Sequence, residues 1–346
     1  MALLASLMVG VASPAEAREL NPYQLRALYR LYVTATYKAQ TGDWAGALKD
    51  FQAAANLAPR SAEILLQLAR AYYHTSQIKQ AERYAHLALE ADSSASEAYV
   101  ILGEIALAAE DAAAADSYFS QRLRWEPNDD QTRLRLGFLR EEAGDLEGVV
   151  EVLTDFPPQR RGAATAHYHR GLALVRLGRY DEAISAFRTV VNLVPDHTDS
   201  YRFLALLEEQ QGRDEEALED WGTVLNLDPN NIQALRHRID LLLERNRVKK
   251  AREDLLRLSR LTAGDSGGVD PDALLYQYAM EEGNYGAAAR ALLRVARKKN
   301  AGETTFLQAA LLASRGEGDT EIVIEALEGA YRVSGKEALG HLAART

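Results

Sequence analysis

A period of 34 residues runs through most of the chain and limits the folds that it can adopt. Small or apolar residues recur at this interval: Ala47, Ala81, Ala115, Val149, Ala183, Ala217 and Ala251. Prolines follow the same interval or twice that interval: Pro59, Pro127, Pro195 and Pro229. Because two kinds of residue share one period, we interpret the chain as an array of repeated units, as in solenoid proteins.

Two further series indicate that each repeat contains two helices. Twelve residues before each member of the first series stands another small or apolar residue: Ala35, Ala69, Gly103, Gly137, Gly171, Ala205 and Ile239. Four residues after each member stands a larger apolar residue or alanine: Phe51, Ala85, Phe119, Leu153, Phe187, Trp221 and Leu255. A spacing of four places side chains on one face of a helix. We therefore predict paired helices that approach closely at the small residues.

One repeat carries nearly a whole known signature. It reads Gly171-Leu172-Ala173-Leu174-Val175-Arg176-Leu177-Gly178-Arg179-Tyr180-Asp181-Glu182-Ala183, followed by Phe187, Val190 and Pro195. In these residues the chain resembles the tetratricopeptide repeat (TPR) family. The resemblance implies an all-α, right-handed superhelical solenoid of about nine helix-turn-helix repeats. Residues 18–263 would hold repeats one to seven, and residues 272–346 would hold repeats eight and nine and a C-terminal cap.

Residues 264–271 form a Gly-rich insertion that shifts the eighth repeat by three residues, and we predict a hinge there. The insertion contains Gly264-Asp265-Ser266-Gly267-Gly268, which matches the nucleophile motif of trypsin-like serine proteases. A hydrolase that uses Ser266 is a remote alternative, because that family needs a β-barrel and the residues upstream are typical of helical repeats. In the fourth repeat, Pro157-Pro158 shortens the second helix, which suggests a bend or a loosened joint.

The N-terminal residues 1–17 have the pattern of a signal peptide. Ala2 to Ala12 is uncharged and largely apolar, and Ala15-Glu16-Ala17 fits a small-x-small cleavage site, so the mature chain would begin at Arg18. No Lys or Arg precedes the apolar stretch, so either the start codon is misassigned or the stretch is an apolar N-terminal helix. We therefore predict export to a bacterial periplasm, with a cytoplasmic or membrane-associated scaffold anchored by Ala2 to Ala12 as the alternative.

Composition excludes several kinds of chemistry. The absence of cysteine rules out disulfides, Cys-ligated zinc, iron–sulfur clusters and a Cys nucleophile. A net charge of −10 argues against a general nucleic-acid coat. No phosphate-binding loop, metalloprotease motif or EF-hand loop is present in the sequence. We predict a protein that is not an enzyme and that needs no cofactor or metal.

The TPR resemblance places the binding surface on the first helix of each repeat, which lines the concave side. It implies that this groove binds a partner protein or peptide. Because residues 1–17 have the pattern of a signal peptide, we predict that the protein is an assembly factor of an envelope complex for secretion, pilus assembly or polysaccharide export. The implied groove residues are Tyr29, Tyr32, Arg70, Tyr73, Glu104, Phe138, Tyr168, Arg202, Arg236 and Asp240. TPR domains that bind acidic chaperone tails use a Lys/Asn clamp, whereas the matching positions here hold Tyr32, Thr36, Leu66 and Arg70.

Charge is distributed unevenly along the chain. Residues 232–301 hold 14 Lys and Arg against nine Asp and Glu, within a chain that is acidic overall. A solvated helix face is the simpler explanation of this excess, and contact with an acidic partner or an anionic surface is the alternative. The candidate patch comprises Arg245, Arg247, Lys249, Lys250, Arg294, Arg297 and Lys298.

Overall fold

The structure is a computed structural model that describes residue 11 and residues 19–263, 270–298, 301–316 and 320–344. Most of the predicted signal peptide, Ser266 and most of the Gly-rich insertion lie outside these residues. Val11, the described residue of the N-terminal segment, is buried, and its carbonyl accepts a hydrogen bond from Ser61 Oγ at 2.6 Å. No helix among the described residues is both long enough and apolar enough to cross a membrane.

The described residues form 19 helices and no strand, which confirms the predicted all-α repeat fold. The chain divides into two compact units, residues 1–193 and residues 194–346. The described residues of the first unit form five helix pairs: α1 (Pro22–Gln40) with α2 (Trp44–Leu57), α3 (Ala62–His74) with α4 (Ile78–Ala91), α5 (Glu97–Ala108) with α6 (Ala112–Trp125), α7 (Asp130–Glu142) with α8 (Leu146–Leu153), and α9 (Ala163–Arg176) with α10 (Tyr180–Leu193).

The second unit contains four helix pairs and a short last helix. The pairs are α11 (Thr198–Gln210) with α12 (Asp214–Leu227), α13 (Ile232–Glu244) with α14 (Val248–Ala263), α15 (Pro271–Glu281) with α16 (Tyr285–Lys298), and α17 (Glu303–Arg315) with α18 (Thr320–Ser334). The last helix, α19 (Glu337–Ala343), packs against α18.

Small residues allow the two helices of a repeat to approach closely. A Cβ atom on Gly171 would lie 2.8 Å from the Phe187 ring, and one on Gly103 would lie 2.5 Å from the Phe119 ring. Both distances are too short for a Cβ contact, so a larger residue would force the helices apart. Packing between the helices of one repeat therefore explains why the small residues and the aromatic residues recur with one period.

The turn between the two helices contains one residue with a left-handed backbone in each of the first eight repeats. Glycine provides this conformation in five of the turns, at Gly42, Gly144, Gly178, Gly212 and Gly283, with φ between 69° and 87°. Ser76, Glu110 and Asn246 occupy the same turn position in the other three, with φ of 60°, 59° and 53°. Because side chains with a Cβ are strained in this region, these three turns are less favourable than the glycine turns.

The fourth repeat has a shortened second helix that is fixed in place. Helix α8 has 8 residues, whereas the second helices of the other repeats in the first unit have 14. Arg133 donates hydrogen bonds to the carbonyl of Val152 at 3.0 Å and to the carbonyl of Thr154, beyond the end of α8. Its guanidinium also lies over the ring of the buried Phe156. These contacts anchor the segment that the sequence suggested would be loose.

Candidate partner-binding groove

An open groove lies in the first unit beside the first helices of three consecutive repeats, α3, α5 and α7. Its volume is about 410 Å³. The residues that line it are Arg70, Tyr73, His74, Glu97, Val100, Ile101, Glu104, Arg122, Asp129, Gln131, Thr132 and Arg135. Three residues of the predicted set, Arg70, Tyr73 and Glu104, are therefore brought together. Arg70 and Tyr73 lie on α3, and Glu104, which is 34 residues after Arg70, lies at the equivalent position of α5.

Two ion pairs cross this groove from one repeat to the next. Arg70 Nη2 lies 2.5 Å from Glu97 Oε2, and Arg135 forms an ion pair with Glu104. The four side chains are between 27% and 51% exposed, so each pair contributes little to stability, on the order of 0–1 kcal/mol. Such pairs can open at low cost, and their charges can then contact the charges of a bound molecule.

Apolar and aromatic side chains lie between these ion pairs. Ile101 is buried, and Val100 and Tyr73 are partly exposed. Burial raises the pKa of Tyr73, and the nearby Glu104 raises it further, so the phenol stays neutral. His74 stacks on Trp44 with ring centroids 3.8 Å apart. Burial and the charge of Arg70 lower the pKa of His74, so this ring adds no charge to the groove at neutral pH.

One end of the groove is fixed by Arg122, which belongs to the second helix α6. Its Nε lies 2.8 Å from Asp129 Oδ2, and its Nη1 donates to Ser96 Oγ at 2.6 Å. Asp129 also caps α7 by accepting a hydrogen bond from the backbone N–H of Thr132. Burial would raise the pKa of Asp129, but the hydrogen bonds from Arg122 and Thr132 outweigh it, and the pKa is lowered.

Models of the tetratricopeptide repeat match the chain in two places. One matches residues 38–102, and a second matches residues 159–191 and 168–232. These regions of the chain therefore contain tetratricopeptide repeats. No curated protein sequence matches it.

Several solved structures are similar to this TPR protein. The structure of Naa15/Naa10 bound to HypK has a TM-score of 0.52 and 14% identity, over 89% of this chain and 58% of that chain. YrrB, described as a TPR protein with an unusual peptide-binding site, has a TM-score of 0.45 and 23% identity, over 54% of this chain and 95% of that chain. MamA from Desulfovibrio magneticus RS-1 has a TM-score of 0.39 and 22% identity, over 50% of this chain and 97% of that chain. The similarity to Naa15/Naa10 supports the TPR fold alone.

Two predicted groove residues in the first TPR repeat are engaged in packing. Tyr32 Oη donates to Glu63 Oε1 at 2.6 Å, and the Tyr32 ring contacts the edge of Phe51. Burial and the contact with Glu63 raise the pKa of Tyr32. Tyr29 is partly buried against the core of the first unit. Neither tyrosine lines the groove described above.

Phe138 and Tyr168 belong to a separate aromatic cluster between α7 and α9. Both contact His169 edge-on, with ring centroids 4.7 Å and 5.6 Å away. His169 Nδ1 lies 2.7 Å from Glu141 Oε2 on α7. Phe138 is 36% exposed. This cluster connects the fourth and fifth repeats, and neither Phe138 nor Tyr168 lines the groove.

In the second unit, two of the three predicted residues lie in one cluster. Asp240 accepts a hydrogen bond from Tyr278 Oη at 3.0 Å, and Arg236 lies 3.6 Å from Glu282. Burial, with a smaller contribution from Glu282, raises the pKa of Asp240 to about 6 against the lowering effect of the hydrogen bond from Tyr278. The third residue, Arg202, lies 3.0 Å from Asp199 on its own helix.

His237 adjoins this cluster and was missed by the sequence analysis. Its ring stacks on Trp221 with centroids 4.8 Å apart, and its Nδ1 lies 3.1 Å from Glu209 Oε2. The hydrogen bond with Glu209 raises the pKa of His237 above its usual value, against the effect of burial. The same pairing joins His169 to Glu141, and in both cases the histidine follows the glutamate by 28 residues. That repeated spacing was visible in the sequence.

Most residues of the predicted basic patch form ion pairs within the chain. The pairs are Arg245 with Asp214, Arg247 with Glu215, Arg294 with Asp272, Arg297 with Glu325, and Lys298 with both Asp270 and Asp272. Lys249 and Lys250 are exposed. Acidic residues beside these cations therefore balance much of the positive charge counted along the sequence.

The groove and the charged clusters described above provide surfaces for contact with another molecule. Across the residues that the structure describes, no group of three or more His, Asp and Glu side chains could hold a metal ion.

Proposed function

We propose that this TPR protein is a non-enzymatic adaptor that holds a segment of a partner protein in the groove beside α3, α5 and α7. The observation that supports this most directly is the convergence of Arg70, Tyr73 and Glu104 on one open groove of about 410 Å³. That volume lies within the range of about 300–1,000 Å³ that is usual for binding sites. Tyrosine and arginine are also the residue types that dominate protein–protein contact energies.

The chemistry of the groove specifies the kind of segment that it accepts. An apolar side chain would pack against Tyr73, Val100 and Ile101, which lie between the two ion pairs. An acidic residue on one side of this anchor would pair with Arg70 or Arg135, and a basic residue on the other side would pair with Glu97 or Glu104. The groove therefore fits a segment of mixed charge better than a uniformly acidic tail.

An affinity capture experiment with a matched control tests this site. The chain from Arg18 and its Arg70→Ala/Tyr73→Ala variant are immobilised and exposed to native envelope extract, beside an Lys79→Ala/Arg83→Ala control on the exposed face of α4. We expect a partner that the unaltered chain and the control retain, and that the groove variant loses by at least about tenfold. A partner that all three chains retain equally would place the binding surface elsewhere. Far-ultraviolet circular dichroism checks that the variants remain folded.

We also propose that the mature chain works in a bacterial periplasm as an assembly factor of an envelope complex for secretion, pilus formation or polysaccharide export. The pattern of residues 1–17 supports this location. Cell fractionation followed by N-terminal sequencing tests it. A periplasmic protein that begins at Arg18 is the expected result. A protein that begins at Met1 and fractionates with the cytosol or the membrane would instead favour a cytoplasmic or membrane-associated scaffold.

A further inference from the structure

Helix α1 exposes a stripe of large side chains, which we call the α1 face. It consists of Tyr23, Arg26, Arg30, Val33 and Tyr37. The spacings of three and four residues place all five on one side of the helix. Tyr23 is 82% exposed, Val33 57% and Tyr37 67%. Large apolar side chains in such a row are unusual on the surface of a soluble protein and indicate a binding surface.

The later repeats of the first unit show what normally covers this face. Positions equivalent to Arg30 and Tyr37 recur every 34 residues, and all of them are at most 8% exposed: Ile64, Ala71, Ala98, Ile105, Thr132, Leu139, Ala166 and Ala173. In each of these repeats the first helix contacts the second helix of the repeat before it, as α3 contacts α2 and α5 contacts α4. At Arg30 and Tyr37 the α1 face therefore corresponds to a packing surface for a helix, and these two positions carry Arg and Tyr where later repeats carry mostly small or aliphatic residues.

The charge of the α1 face restricts its occupant. Helix α1 contains no Asp or Glu, and its third cation, Lys38, already pairs with Asp50 at 2.6 Å. Arg26 and Arg30 are exposed, and neither forms an ion pair with any described residue. A second copy of the chain fits poorly, because antiparallel pairing of two α1 helices about the centre of the stripe would place Arg30 opposite Arg30. Like charges in such a position oppose association.

We infer that the α1 face binds an acidic amphipathic helix of a partner protein, and that this surface is separate from the groove. The bound helix would take the place that a preceding second helix occupies in the later repeats. Its carboxylates would pair with Arg26 and Arg30, and its apolar residues would pack against Tyr23, Val33 and Tyr37. The stripe covers about 21 Å along α1, so the bound helix would have about 14 residues.

Binding of two synthetic helical peptides to the full chain tests the inference. One 15-residue peptide carries an alanine and leucine stripe flanked by Glu, and the other has Lys in place of every Glu. Fluorescence anisotropy of the labelled peptides gives the affinities. We expect the Glu peptide to bind the chain at least about tenfold more tightly than the Lys peptide, with an affinity that falls as salt is added.

Variants locate the binding. Arg26→Glu/Arg30→Glu should reverse the preference between the peptides, and Tyr23→Ala/Tyr37→Ala should weaken binding of the Glu peptide. The matched charge swap Lys79→Glu/Arg83→Glu on α4 and the groove variant Arg70→Ala/Tyr73→Ala should both bind as the unaltered chain does. Unchanged binding by the groove variant would show that the α1 face and the groove are separate surfaces.

Four outcomes would overturn the inference. They are no binding of the Glu peptide, equal binding of both peptides, sedimentation that shows a dimer lost in Arg26→Glu/Arg30→Glu, and binding of phosphatidylglycerol vesicles through α1 in place of the peptide. The third outcome would assign the face to a second copy, and the fourth would assign it to a membrane surface.

Discussion

At the scale of single residues, buried charge determines how the second unit responds to substitution. Asp272 is fully buried at the start of α15 and contacts Arg252, Arg294 and Lys298. Burial alone would raise its pKa, but the hydrogen bonds from the three cations outweigh it, and the pKa is lowered. At pH values above the pKa of an unfolded aspartate, this carboxylate therefore stabilises the second unit. The stabilisation is lost as the pH falls through the lower pKa of the folded state.

We predict that Asp272→Asn destabilises the second unit by about 1–3 kcal/mol, because it leaves the partly exposed cations Arg252, Arg294 and Lys298 without the buried carboxylate that pairs with them. Trp221 is the one tryptophan of that unit, so its fluorescence during urea unfolding, in a Trp44→Phe/Trp125→Phe background, measures the effect. An unchanged urea midpoint would contradict the prediction.

Asp240 should give the stability of the second unit the opposite dependence on pH. Its folded pKa of about 6 lies above that of an unfolded aspartate, so the folded state binds more protons between about pH 4 and 6. The stability of the second unit should therefore fall as the pH rises through this window, by roughly 1 kcal/mol because Asp240 is partly exposed. Asp240→Asn keeps an acceptor for Tyr278 and should flatten the dependence. The difference in urea midpoint between the two proteins from pH 4 to 6 checks this; identical slopes would refute it.

At the scale of elements, the turns inside the repeats differ in strain. Glu110 has φ of 59° at the position where Gly144 and Gly178 stand in later repeats. We predict that Glu110→Gly stabilises the first unit by about 0.5–1 kcal/mol, because relief of the left-handed strain exceeds the entropy cost of glycine. Gly178→Ala should destabilise it by about 1 kcal/mol. Urea unfolding of both variants measures these shifts, and a less stable Glu110→Gly protein would show that Glu110 makes a compensating contact.

The sequence predicted the helix pairs and part of the groove, but not every residue that lines the groove. The 34-residue period predicted the helix pairs, since periodic small residues determine where two helices approach. The TPR resemblance, rather than the period itself, implied that Arg70, Tyr73 and Glu104 line one groove, and all three line the groove beside α3, α5 and α7. The contribution of Arg122 to the groove was not predictable in this way, because Arg122 reaches the groove from a second helix. Ion pairing of the basic patch depends on which acidic side chains lie nearby, and a charge count along the sequence does not contain that information.

At the scale of the whole molecule, the two proposed binding surfaces both belong to the first unit and differ in chemistry. The groove beside α3, α5 and α7 carries both signs of charge around an apolar centre, whereas the α1 face is basic and aromatic. Surfaces with different chemistry allow one adaptor to bind two segments without competition. Such an adaptor could hold two partners, or two segments of one partner, within a single complex.

Photo-crosslinking in living cells tests the groove most directly. A benzoylphenylalanine residue is placed at Val100, in the centre of the groove, and separately at the exposed Arg83 on α4. Binding in the groove predicts a crosslinked adduct at Val100 that maps to one segment of one partner protein, and no such adduct at Arg83. An adduct at Arg83 without one at Val100 would contradict the assignment of the groove as the binding surface.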